Sequence, residues 1–136
     1  MNYRLKNEYG DFIKNYSILN NNEDYKLKIT LTYKYKVNEM NVRKWMNLLS
    51  RYLIKNNIKI NGFYVNEYDN SFYNLHNHLL IWCDVGWSEC KSKIFNYWKK
   101  LGSVEIEKYN NKEHYGNYIM KYVDNSNNNV WDFIEN

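Results

Sequence analysis

Between Tyr25 and Tyr35, Leu27, Ile29, Leu31 and Tyr33 alternate with Lys28, Thr30 and Thr32. A period of two is what a half-buried strand presents to a core. The period then changes. Val42, Trp45, Met46, Leu49, Tyr52 and Leu53 recur every three or four positions, which predicts an amphipathic helix over 39–55, with Asn38 or Asn41 as its N-cap. Asn56-Asn57 breaks that helix, and Ile58, Ile60, Phe63 and Val65 predict a second strand with an irregularity at Gly62. A turn-prone Asp69-Asn70-Ser71 leads to a third strand over 75–83, apolar enough at its far end to be central.

Cys90, Ile94, Tyr97, Trp98 and Leu101 form the apolar stripe of a second helix, with Ser88 as the expected N-cap and Gly102 as the glycine that ends it. Residues 103–109 alternate as a fourth strand, and 112–123 read as a third helix with Tyr115, Ile119, Tyr122 and Val123 near one face. The two ends carry less pattern. Residues 1–22 close on Asn20-Asn21-Asn22 and read as an extended arm followed by a loop, while 130–134 read as a short terminal turn after a polar stretch.

Strand, helix, strand, strand, helix, strand and an added helix is an α+β order. It matches the split βαβ plan of ferredoxin-like and RRM-like folds, with a central antiparallel sheet and helices. The expected division is an N-terminal extension over 1–22, one domain over 23–125 and a C-terminal tail over 126–136. At 136 residues the chain has room for one core and one site. That plan serves RNA-recognition modules, metal chaperones and nucleases alike, so the side chains have to decide the function.

Composition narrows the choice only slightly. Hydrophobic residues make up 44% and aromatics 18%, with 15 Tyr and 5 Trp, so the chain can fold and has rings on which unpaired bases could stack. A net charge of +4 permits a polyanionic partner without requiring one. No stretch is long and apolar enough to span a bilayer, and the N-terminus lacks the apolar core of a signal peptide, so the expectation is no membrane and the cytoplasm of a prokaryotic host cell. Cys83 and Cys90 have no metal-site spacing and read as reduced packing residues.

The chemistry gathers in two places. His76 and His78 stand two apart on a strand, so both imidazoles leave one face while Asn77 leaves the other. Glu67 closes the preceding strand, where an antiparallel hairpin brings its carboxylate alongside. Two imidazoles and a carboxylate make an open site for Mg²⁺ or Mn²⁺, with positions left for water and phosphate. A lone strand histidine is ordinarily a core or surface group; the same-face pair with an acid is what favours a metal. Downstream, Tyr118, Lys121 and Tyr122 share one flank of the expected third helix. A phenol attacks phosphate poorly at its free pKa of about 10, and a neighbouring cation is the help it needs. The competing reading is that both tyrosines are core residues.

Taken together, His76-Asn77-His78 followed by Leu79-Leu80-Ile81, Glu67 upstream, Tyr118-x-x-Lys121 downstream and the strand from Lys28 to Tyr33 resemble the motifs of the HUH endonuclease superfamily. The resemblance is to the rolling-circle replication initiators of small viruses, phages and plasmids, and it spans roughly 25–125. Asn77 departs from it, since that family usually has a bulky apolar residue there.

What the resemblance implies is an endonuclease that nicks and joins single-stranded DNA at an origin. His76, His78 and Glu67 would hold the ion, and Tyr118 would attack to leave a 5′-phosphotyrosine. Lys121 would stabilise the phosphate, and Tyr122 is the candidate second nucleophile. No phosphate-binding loop occurs, so a separate helicase is an expected partner. A hairpin at the origin and a homodimer are compatible with the pattern. Two alternatives stand beside this: a single-tyrosine transposase of an insertion sequence, whose tyrosine helix more often carries Gln where Lys121 stands, and a non-catalytic RRM-like nucleic-acid-binding module, which has no use for paired imidazoles.

Overall fold

The computed structural model describes residues 3–68, 75–110 and 131–136. The elements are α1 (Tyr3–Asn21), β1 (Leu27–Thr32), α2 (Glu39–Lys55), β2 (Ile60–Tyr68), β3 (Leu75–Cys83), α3 (Trp87–Trp98), β4 (Val104–Lys108) and β5 (Trp131–Glu135). The strands form one antiparallel sheet in the order β4-β1-β3-β2-β5. Leaving out β5, this is the expected split βαβ arrangement: β3 lies between β1 and β2, the two strands that α2 connects.

Each strand divides its side chains between two faces. Leu27, Ile29 and Leu31 of β1 and Leu75, Leu79, Ile81 and Cys83 of β3 are buried under Val42, Met46, Leu49 and Leu53 of α2 and Cys90, Ile94 and Trp98 of α3. Removing those apolar surfaces from water, at about 25 cal/mol per Å², is the main force holding the helices to the sheet. Asn38 and Asn41 share the cap of α2, since the Asn38 side chain accepts from the Asn41 backbone N–H and the Asn41 side chain accepts from that of Asn38.

Gly62 is required by close approach: a Cβ there would stand 1.9 Å from the carbonyl oxygen of Leu80. Gly102 has a similar reason, 1.9 Å from the carbonyl oxygen of Thr32, and it does not end α3 as expected, because the helix stops at Trp98 with Lys99 as its C-cap. Nor is Ser88 the N-cap. Gly86 holds that position, and no side chain among the described residues caps the helix start. The two cysteines are free and buried, as packing residues are.

The largest departures lie at the chain ends. Instead of an extended arm, residues 3–21 form α1, which packs across the second face of the sheet. Ile13 is buried with Tyr25, Phe63, Val65 and Leu80, and the Tyr16 ring meets that of Phe63 at 4.8 Å. Polar contacts complete the seat. The Tyr25 hydroxyl donates to the Ile13 carbonyl, Ser17 donates to the Glu23 carbonyl at 2.7 Å, and the Asn21 and Asn61 amides bond reciprocally at 2.9 and 2.8 Å. The terminal turn expected over 130–134 is instead the edge strand β5, paired with β2 from Asn61↔Glu135 to Val65↔Trp131. The expected third helix over 112–123 lies outside the described residues.

Candidate functional site

The register of the sheet lays the second face out as a grid. Glu67 on β2 stands directly opposite His76 on β3, which in turn is opposite Thr32 on β1. In the next row, Trp131, Val65, His78, Thr30 and Glu105 follow one another from β5 to β4. Phe133, Phe63, Leu80, Lys28 and Glu107 form the row after that. α1 packs against Phe63, Val65 and Leu80 through Ile13 and covers that part of the face. The His76 and Glu67 side chains keep 32% and 26% of their surface exposed, whereas His78 is nearly closed off at 7%.

Glu67 is the link between the two imidazoles. Its carboxylate oxygens lie 3.9 Å from Nδ1 of His76 and 3.6 Å from Nε2 of His78. These are ion-pair separations; donors bound to one ion at about 2.0–2.2 Å would lie closer together. Among the described residues, no three His, Cys, Asp or Glu side chains form a ready-made metal cluster. The donor chemistry nonetheless suits a hard divalent ion: imidazole nitrogens and a carboxylate on one face of the sheet, two of the three side chains partly exposed. His78 is also steadied from behind, where Thr30 Oγ1 lies 3.3 Å from its Nδ1 and leaves Nε2 turned toward Glu67.

Asn77, the departure noted in the sequence, faces the helix layer and is fully buried. The Tyr33 hydroxyl donates to its Oδ1, and its own amide donates to Asn66 Oδ1 at 2.6 Å. Asn66 and Asn77 are cross-strand partners, adjacent to the Glu67↔His76 pair. A slip of one residue would send every side chain of β3 to the wrong face, so a buried polar pair at this point holds the register that brings Glu67 to the histidines.

Burial pushes the Tyr33 phenol far above its usual range, with the nearby Tyr64 adding to it, so Tyr33 stays protonated as a donor. Replacing Asn77 with Ala strands that donor and the Asn66 carbonyl oxygen. The expected result is a loss of about 2–4 kcal/mol of stability, read as a lower urea midpoint at unchanged slope; a midpoint equal to that of the unaltered protein would refute the role.

Tyr118, Lys121 and Tyr122 lie outside the described residues. Of the described tyrosines, Tyr16, Tyr25, Tyr33, Tyr64, Tyr68 and Tyr97 have their ionisation pushed upward, in every case chiefly by burial. None of those six is primed as a phenolate. Sequence reasoning did not find Thr30 or Asn66. A threonine on a strand is an ordinary β residue until its register partner is known to be a histidine.

No described helix is long and apolar enough to cross a membrane. No curated protein and no solved structure matches the chain. A family model does, over residues 26–127, three quarters of the sequence. It spans β1 to β4, the histidine pair and the Tyr118-x-x-Lys121 segment, and leaves out α1 and β5. The chain belongs to the replication-associated protein family of the ORF2 type.

Proposed function

We propose that this replication-associated protein nicks and rejoins single-stranded DNA at an origin, using a tyrosine nucleophile and a divalent ion. The observation that carries the reading is the Glu67 carboxylate lying within ion-pair distance of both His76 and His78 on the second face of the sheet, with His76 and Glu67 partly exposed. His76, His78 and Glu67 are the residues to hold Mg²⁺ or Mn²⁺, which when bound would polarise the scissile phosphate. The Tyr118 oxygen, losing its proton, attacks phosphorus; the P–O3′ bond breaks, the 3′ oxygen takes up a proton, and the 5′ phosphate stays on the tyrosine. Lys121 stabilises charge that develops on the phosphate oxygens, and Tyr122, four positions after Tyr118 in the sequence, serves as the nucleophile of a second cleavage. The reverse reaction joins strands, because the phosphotyrosine retains the energy of the broken bond. Unwinding behind the nick falls to a separate helicase. The replication family favours this reading over a transposase, and the paired imidazoles favour it over a purely binding module.

The test is incubation with Mn²⁺ and a 3′-labelled single-stranded oligonucleotide carrying the replicon's origin. A labelled protein adduct that survives denaturation is expected, and its absence would overturn the reading. Thr30 supplies a check on the metal site alone. If its hydroxyl holds the His78 ring, Thr30→Val weakens Mn²⁺ binding by about 10- to 100-fold while Thr30→Ser retains it. Equal Mn²⁺ titrations for Val and Ser would remove Thr30 from the site.

A further inference from the structure

The row that runs from Glu67 through His76 to Thr32 does not end there. Beside Thr32, where the chain enters β4 at the edge of the sheet, stands Ser103, and the two residues are joined three times. The Thr32 N–H donates to the Ser103 carbonyl at 3.0 Å, the Ser103 N–H donates to Thr32 Oγ1 at 2.9 Å, and the two hydroxyls are hydrogen-bonded to each other. Thr30, two residues back on β1, lies against His78, so alternation puts the Thr32 side chain on the site face as well. The row thus leads from the donors proposed for the ion to a pair of hydroxyls.

The pair has one proton to spare. Each hydroxyl carries a single proton, only one of the two lies between the oxygens, whichever of them donates, and no acceptor for the other occurs among the described residues. Ser103 is exposed and Thr32 partly so, which leaves that proton to water and free to exchange water for another acceptor. The other two hydrogen bonds already tie this segment to β1, so an exposed hydroxyl at position 103 adds little to the fold. One strand spacing, about 4.8 Å, separates Thr32 from His76, and two, about 10 Å, separate Ser103 from it. At that remove the hydroxyls meet the next phosphate along a strand and not the one at the histidines.

We infer that the Thr32–Ser103 hydroxyl pair donates a hydrogen bond to a non-bridging oxygen of a phosphate next to the scissile one. The inference rests on the single-stranded DNA substrate proposed above, and it adds the direction the strand takes: from the histidines across β1 to the β4 edge. Glu105, opposite Thr30 on the same face, repels a backbone running along β4 and so confines it to this row. A contact to phosphate fixes the position of the strand and is blind to base identity.

The test is binding in Mn²⁺ on the Tyr118→Phe background, where no adduct is expected. A fluorescein-labelled single-stranded oligonucleotide carrying the origin is titrated with protein and followed by anisotropy. Ser103→Ala is expected to weaken binding about fivefold, and Ser103→Thr, which keeps the hydroxyl, to retain it. A companion set of oligonucleotides carries one methylphosphonate at each successive linkage, removing the charge and one acceptor oxygen of that phosphate. At one linkage adjacent to the cleavage point, the penalty should be about fivefold smaller for Ser103→Ala than for the protein that keeps Ser103; at the other linkages the two penalties should match. Equal affinities with and without the Ser103 hydroxyl would overturn the proposal, as would penalties that match at every linkage. Indifference to Ser103 in a protein that binds the strand removes this contact alone and leaves the nicking reaction standing. No binding of the strand by any of the proteins would remove the substrate and the contact together.

Discussion

Tyr118→Phe should abolish the covalent protein–DNA adduct, with Mn²⁺ and the origin oligonucleotide present and single-strand binding retained. The change removes one oxygen, the atom that would form the new bond to phosphorus, and keeps the aromatic ring. A loss of at least about 10³-fold is expected, the scale on which deleting a nucleophile acts. Lys121→Ala should slow adduct formation by about 10²–10³-fold without eliminating it, because it removes a stabilising charge and leaves the reacting atom. Tyr122→Phe should leave the first adduct intact and impair strand joining. An adduct that persisted in Tyr118→Phe and vanished in Tyr122→Phe would exchange the two roles.

The second large effect is at Glu67. Since its carboxylate lies within ion-pair distance of both His76 and His78, Glu67→Gln should disable the site more completely than its partial exposure suggests. Gln keeps the shape and loses the charge that a divalent ion requires. Adduct formation should fall about 10²-fold or more, and Mn²⁺ titration by calorimetry should show the affinity falling with it. The melting temperature should change little, because the side chain is a quarter exposed and Gln keeps its shape. His76→Ala should behave in the same way. For His78→Ala, buried beside Thr30, some loss of stability is expected as well. Wild-type adduct yield in Glu67→Gln at limiting Mn²⁺ would exclude the carboxylate as a ligand.

The elements from 27 to 108 were legible in the sequence because their apolar residues keep the period of their own structure. α2 shows this best, with its stripe and its asparagine cap visible over the span that forms. α1 was not legible, for a physical reason. Part of what it buries is polar or small, namely Ser17 and Gly10, while Ile18 and Leu19 are exposed, so its apolar pattern does not mark the face that packs. β5 is short and follows a polar run, and only Ile134 of its five residues is buried in the core. Their contribution comes from partners distant in the chain, which a local period does not encode.

For the site, the residues alone determined that His76 and His78 share a face, since alternation along a strand is a local property of the backbone. They also determined the chemical type, nitrogen and oxygen donors suited to a hard divalent ion. The sequence also suggested Glu67 alongside, through the hairpin; tertiary structure decided the exact register that sets it opposite His76, with Thr30 behind His78 and Asn77 bonded to Tyr33 and Asn66 beneath them. Each of these depends on which residues face each other across strands. That register is set by the summed packing of the whole sheet, so no segment contains it by itself.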